Sequence, residues 1–122
     1  MPLVEQFWDY LLDKKHLLHN NRPGLFVDLA DPAKRPVTEL KRGLRRLRQL
    51  QTLCNVTLGL NRSESNQVCT ALGLSPSPSL QENAEQILST LKLSSIVVHS
   101  HCEAAVAYRF GRSVESISHT IP

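Results

Sequence analysis

The fold is decided by residues 56–64, which read Val56-Thr57-Leu58-Gly59-Leu60-Asn61-Arg62-Ser63-Glu64. A short apolar run between turn-capable residues is typical of a buried strand, and the next apolar positions, Val68, Ala71 and Leu72, have helical spacing. The stretch therefore predicts a strand that passes directly into a helix. Ligands of open α/β sheets bind beyond the carboxyl ends of the strands, so Asn61 and Glu64 are candidate site residues.

The Asn61-x-x-Glu64 pattern has a second, purely structural interpretation. An Asn at a helix N-cap and a Glu three residues later can form a capping box, which satisfies two backbone donors that the helix leaves unpaired. A cap alone would explain both residues. Their place at the end of a strand is what favours a functional role, and the sequence leaves both interpretations open.

The length and composition indicate one α/β domain over residues 1–122: a helix and linker (1–23), a core (24–111) and a tail (112–122). Hydrophobic residues make up 41% of the chain and charged residues 20%, which argues against disorder. No apolar run approaches the roughly 20 residues that a membrane-spanning helix needs. We see no secretory signal in residues 1–13 and expect a cytoplasmic protein.

The amino-terminal segment, residues 3–18, is predicted to be an amphipathic helix that needs a surface to lie on. Its apolar side consists of Val4, Phe7, Trp8, Leu11, Leu12 and Leu18. His16 and His19 near its end have the spacing of a metal pair. Cationic side chains in a last helical turn also interact favourably with the helix dipole, and we favour that explanation.

Residues 25–28 predict a short buried strand, followed by a proline-containing loop with Asp31 and Arg35. Asp28, Asp31 and Arg35 are therefore expected at one sheet rim. Asp31 can simply begin a turn while Arg35 pairs with a surface carboxylate, and the alternative is a rim for a polar substrate or phosphate. The first explanation is the simpler one.

A basic helix is predicted from Thr38, as its cap, to about Leu53. Its leucines form one stripe, and the other side carries Lys41, Arg42, Arg45, Arg46 and Arg48. A phosphate backbone could bind such a face, but it lacks interleaved aromatic residues. The basic face is therefore expected to be solvated, and the net charge of +3 does not by itself favour nucleic acid as a partner.

The remaining elements complete an α/β prediction. A capping box, Ser79-x-x-Glu82, opens another helix, and strands follow at residues 95–99 and 104–110. The short connection makes those two strands an antiparallel hairpin, and residues 113–122 an extended tail or edge segment. Together these elements predict a mainly parallel sheet with helical crossovers. The crossover helices are expected on one face of the sheet, so that another element or a partner would have to cover the other face.

Other reactive side chains follow the predicted strand 95–99, where His99, His101 and Cys102 could bind a metal or form a nucleophile with its base. No matching ligand pair stands out elsewhere, so both hypotheses are weak. The chain has three cysteines and no C-x-x-C spacing, which predicts buried free thiols rather than disulfides or a zinc site.

Part of the sequence resembles the ribokinase-like (phosphofructokinase-B) carbohydrate kinases. The resemblance rests on the segment Asp31-Pro32-Ala33-Lys34-Arg35, on the long helix after it, and on the strand 56–60 with its Asn61-Arg62-Ser63-Glu64 step. The likeness covers most of residues 24–111. In that family an Asn-x-x-Glu motif is associated with magnesium and phosphate handling. The resemblance implies ATP and Mg²⁺ as cofactors, a sugar-like substrate, binding roles for Asn61, Glu64, Asp31 and Arg35, and a metal contact at Glu64.

Three departures from the family pattern limit what the resemblance implies. Ala33 stands where the family has Asn, and residues 100–103 stand where it tends to have a Gly-bearing nucleotide loop. The sequence also contains no Gly-x-Gly-Asp segment, which in that family supplies the anion hole and the catalytic base. We therefore expect a partial sugar-kinase module that is inactive alone. The alternative is a noncatalytic α/β module that dimerises or binds a partner through its open sheet face.

Overall fold

A computed structural model describes residues 22–29, 36–110 and 113–120. Within them the chain forms five strands and three helices. The strands are β1 (Gly24–Asp28), β2 (Asn55–Asn61), β3 (Ser95–His99), β4 (Glu103–Phe110) and β5 (Ser113–Thr120). The helices are α1 (Val37–Leu50), α2 (Arg62–Ala71) and α3 (Leu80–Leu91). None of these helices is long and apolar enough to cross a membrane.

The strands form a single sheet in the order β1-β2-β3-β4-β5. β1, β2 and β3 are parallel, β4 is antiparallel to β3, and β5 is antiparallel to β4. This arrangement confirms the predicted α/β fold, with helical crossovers between parallel strands and a carboxyl-terminal hairpin. The stretch predicted as an extended tail or edge segment contains β5, which lies at one edge of the sheet. Residues 113–120 are therefore an edge strand.

The three helices lie in one layer, since α1 contacts α2 and α2 contacts α3. Right-handed crossovers that step in one direction along a sheet place their helices on the same face. Alternate strand residues turn to that layer and are fully buried: Val56, Leu58, Leu60, Ile96, Val98 and Ala107. The apolar core therefore lies between the helices and one face of the sheet.

Helix α1 begins and ends earlier than its sequence suggested. Its N-cap is Pro36, which makes no side-chain capping bond, so the predicted capping role of Thr38 is wrong. The helix ends at Leu50, and residues 51–53 form a turn. Leu40, Leu44, Leu47 and Leu50 are buried as predicted, and the basic side chains lie opposite them. The burial of one leucine stripe is what determines the rotation of this helix.

Strand β5 is anchored to α3 by a polar contact. The side-chain amide of Gln81 donates to Ser116 Oγ at 2.7 Å, and Ser116 Oγ donates to the Glu85 carboxylate. Ser116 is half-buried, whereas the other described residues of β5 are exposed. The strand therefore has a specific position at the sheet edge, set by α3 as well as by its pairing with β4.

Candidate functional site

The carboxyl ends of the three parallel strands meet at one edge, where Asp28, Asn61 and His99 end β1, β2 and β3. We refer to these three residues as the carboxyl rim. Asn61 and His99 are direct register partners, while Asp28 pairs with Gly59, two residues before Asn61. All three side chains are exposed. The polar rim expected from the strand ends is therefore present on the described strands.

Asn61 and Glu64 form a complete capping box at the start of α2. Glu64 N donates to Asn61 Oδ1 at 2.7 Å, and Asn61 N donates to Glu64 Oε1 at 2.9 Å. Asn61 is extended, which turns the chain from strand into helix. The box uses Asn61 Oδ1 and one of the two carboxylate oxygens of Glu64. The other carboxylate oxygen of the half-buried Glu64 remains at the rim.

Arg62, the first residue of α2, ties the helix start to two other segments. Its guanidinium donates to Pro78 O at 2.8 Å and to Glu103 Oε1 at 3.1 Å. The side chains of Arg62 and Glu103 are 42% and 36% exposed, so solvent screens the ion pair. The start of α2 therefore combines the backbone N–H groups of a helix N-terminus with a guanidinium whose charge Glu103 partly offsets.

The hairpin after β3 accounts for the reactive side chains that follow it. Ser100 N donates to Glu103 O at 2.9 Å, and Ser100 Oγ accepts from the backbone N–H groups of Cys102 and Glu103. His101 and Cys102 are exposed at its tip. Across the described part of the chain, no three His, Cys, Asp or Glu side chains are grouped to hold a metal ion. The stretch thus has a structural explanation as a turn.

Two of the three cysteines are buried as predicted, and the prediction is wrong for Cys102. Burial raises the pKa of the Cys54 thiol, an effect that Arg22 partly opposes, and burial also raises the pKa of Cys69. A thiol with a raised pKa is a poor nucleophile. Cys54 Sγ donates to Leu50 O at 3.3 Å and Cys69 Sγ to Asn83 Oδ1 at 3.7 Å, so both serve the core.

Gly59 allows a close approach on the side of the sheet that faces away from the helices. A Cβ at this position would lie 2.6 Å from Phe26 Cζ and 3.0 Å from Asp28 Oδ1. Any side chain at residue 59 would therefore displace the Phe26 ring. Gly59 thus lets two side chains of β1 lean across β2, close to the carboxyl rim.

Two of the candidate sites lie outside the described residues. Asp31 and Arg35 fall in the segment 30–35, and His16 and His19 belong to the amino-terminal segment. On α1 the residues Lys41, Arg42, Arg45 and Arg48 are exposed opposite the buried leucines. That arrangement is the one expected of an ordinary solvated helix face.

The sequence analysis did not identify Asn83, a fully buried polar residue of α3. Asn83 Nδ2 donates to Asn66 Oδ1 and to Ser77 O, both at 3.0 Å, and Asn83 Oδ1 accepts from Ser77 N at 2.7 Å. The residue holds the loop before α3 against α2. Its place on the apolar face of α3, four residues before Ile87, is the signal that would have found it.

Comparison with known proteins gives a structural likeness without sequence support. No protein-family model and no curated protein matches the sequence. The fold is similar to a solved structure of an ADP-dependent kinase in complex with fructose-6-phosphate and ADPβS. The TM-score is 0.58 and the identity 18%, over 84% of this chain and 25% of that chain. This chain therefore has a kinase-like fold that spans about a quarter of the matched protein's length.

Proposed function

We propose that this chain is a partial sugar-kinase module that retains the magnesium and phosphate part of a nucleotide site and is inactive alone. The observation that carries the proposal is the Asn61–Glu64 pair at the start of α2, placed at the carboxyl rim of a kinase-like fold. In open α/β sheets this is where ligands bind. The resemblance to ribokinase-like kinases, which rests in part on the same two residues, implies the same position.

The chemistry of these residues suits a magnesium-bound phosphate. Mg²⁺ prefers oxygen ligands and is usually held by one or two carboxylates together with substrate phosphates and water. Glu64 supplies a half-buried carboxylate, and Asn61 a neighbouring amide. These residues therefore fit the ion as contributors to a shared site. The backbone N–H groups at a helix N-terminus, such as the start of α2, favour the phosphate groups themselves.

Catalysis needs more than these residues provide. Phosphoryl transfer depends on positioning the reactants and on stabilising the charge that develops on the transferred group. Residues 1–122 contain no Gly-x-Gly-Asp segment, so they do not supply the base and anion hole that the resemblance implies for a complete kinase. Glu64 and Asn61 are accordingly proposed as binding residues. Asp31 and Arg35 are proposed as further binding residues on the resemblance alone.

The proposed nucleotide is ATP, and the kinase of similar fold, solved with an ADP analogue, makes ADP the necessary comparison. The test is a calorimetric titration of the purified chain with each nucleotide, with and without magnesium. We expect binding that magnesium strengthens, and no phosphate transfer to sugars. Absence of binding for both nucleotides in the presence of magnesium would contradict the proposal.

A further inference from the structure

One face of the sheet carries apolar side chains, and none of the described helices lies over them. The register places Phe26, Val97, Val106, Tyr108 and Ile117 on this side, opposite the residues that contact α1, α2 and α3. We refer to these five residues as the open face. They fall in two adjacent rows that cross the sheet, with Phe26 on one edge strand and Ile117 on the other.

Two of the five side chains of the open face are largely exposed to solvent. Phe26 and Ile117 are each 61% exposed, while Val97, Val106 and Tyr108 are half-buried. Strands that contribute to a parallel sheet are usually covered on both faces. The same two rows also carry polar side chains, those of Asp28, Thr57, Ser95 and Glu115. Exposed apolar side chains gathered on one sheet face mark a site at which another element packs.

We propose that the amino-terminal segment of this same chain, residues 3–18, packs on the open face. Its sequence predicts an amphipathic helix with Val4, Phe7, Trp8, Leu11, Leu12 and Leu18 on one side. The segment lies outside the described residues. Its predicted apolar side would supply the apolar contacts that can bury the open face. The inference does not depend on the proposed nucleotide site.

The point at which the segment joins the sheet supports this position. Arg22 donates to Cys54 O at 2.9 Å, and Pro23 O accepts from Asn55 N at 2.8 Å, so the chain enters at the amino end of β1. β1 is the edge strand that carries Phe26. Residues 19–21 can span about 10 Å, which is about the distance between packed layers of secondary structure.

The length of the segment also matches the surface. A helix of 16 residues is about 24 Å long, at about 1.5 Å per residue. Five strands about 4.8 Å apart make a sheet about 19 Å wide. A segment that starts beside Phe26 can therefore reach Ile117 on the opposite edge.

A tethered segment has an advantage over a second copy of the chain. A short linker holds its two ends at an effective concentration of about 1 mM or more, well above ordinary protein concentrations. The open face would therefore be occupied by residues 3–18 before two copies associate. The inference thus predicts a monomer.

The test uses Trp8, the single tryptophan of the chain. Its emission maximum and its quenching by acrylamide would be measured in the full chain, in Phe26→Asp and in Ile117→Asp. Val37→Asp is the matched control, because Val37 is 57% exposed but belongs to α1. Far-ultraviolet circular dichroism would establish that each variant keeps its fold, and light scattering would give the mass.

We expect a shielded, blue-shifted Trp8 in a monomer. Both open-face variants should shift the emission to the red and raise the quenching constant severalfold, while Val37→Asp should leave both unchanged. A wild-type Trp8 as accessible as in urea would overturn the proposal. So would shielding that survives both open-face substitutions, or shielding that appears only as the mass doubles, since the latter would assign the face to a second copy.

Discussion

Asn61 and Glu64 hold each other through two reciprocal hydrogen bonds, of 2.7 Å and 2.9 Å, at the point where β2 becomes α2. The pair is both a helix cap and the best candidate for a phosphate site. Because Gln can replace Glu in a capping box without a charge, the two roles can be separated by substitution.

Loss of the cap should destabilise the protein measurably. Asn61→Ala should lower the free energy of unfolding by about 0.5–2 kcal/mol, because Glu64 N loses its acceptor. Asn61→Ser should cost less, since serine also caps helices well. Urea unfolding would measure both. Ser79→Ala is the matched control at the start of α3, where Ser79 Oγ accepts from Glu82 N, and it should cost a similar amount. A neutral Asn61→Ala would contradict the cap.

Asn83 should be among the most sensitive polar positions. Asn83→Ala leaves partners such as the N–H of the half-buried Ser77 without an acceptor, and each unpaired group that is shielded from water costs about 1–3 kcal/mol. Gln86→Ala removes a half-buried side chain that donates to Ser75 O and, at 3.3 Å, to Asn83 Oδ1, and it should cost about 0.5–1.5 kcal/mol. The two variants would be compared by thermal and urea unfolding. Equal effects would contradict the prediction that Asn83 is the more sensitive position.

The ion pair between Arg62 and Glu103 should contribute little to stability. Partly exposed pairs are typically worth about 0–1 kcal/mol, and we expect a coupling energy in that range from a double-mutant cycle of Arg62→Met and Glu103→Gln. The coupling should shrink in 1 M salt, where the screening length is about 3 Å. A larger coupling that is insensitive to salt would contradict the screened pair described here.

The buried thiols predict a loss of stability at alkaline pH. Burial raises the pKa of Cys54 and Cys69 in the folded chain, so the unfolded chain loses these protons first. Their contribution is complete below the ordinary thiol pKa of about 8.5, and is lost as pH rises from there through the higher folded values. The double variant Cys54→Ala, Cys69→Ala should therefore show a shallower alkaline decline of the free energy of unfolding. A double variant whose stability declines as steeply as that of the wild type would contradict this contribution of the buried thiols.

The sequence predicted the sheet and its central junction because both follow from local patterns. The apolar run of β2 and the periodic positions of α2 meet at Asn61, and short or long connections distinguish the hairpin from the crossovers. Thr38 was assigned a capping role that Pro36 fulfils by position alone. Helix ends depend on local backbone geometry, which residue type only partly determines.

The contacts that the sequence did not predict join residues far apart in the chain. Arg62 and Glu103 are 41 positions apart, and Asn83 reaches Asn66 across 17. Helical and strand periodicities relate only residues that are close in the sequence, so they do not indicate such pairs. The exposure of Cys102 depends likewise on the turn that Ser100 organises. Asp31 and Arg35 lie outside the described residues, and their binding roles remain predictions.

The central claim is that Glu64 contributes to magnesium-dependent nucleotide binding as well as to the cap. The most direct measurement is the calorimetric affinity for ATP and ADP, with and without magnesium, of the wild type, Glu64→Gln and Glu82→Gln. Glu82 is the control because it occupies the same third position in α3. We predict that Glu64→Gln keeps the wild-type stability but loses at least about tenfold in magnesium-dependent affinity, while Glu82→Gln binds normally. Identical affinities in all three proteins, or no binding by the wild type, would contradict the claim.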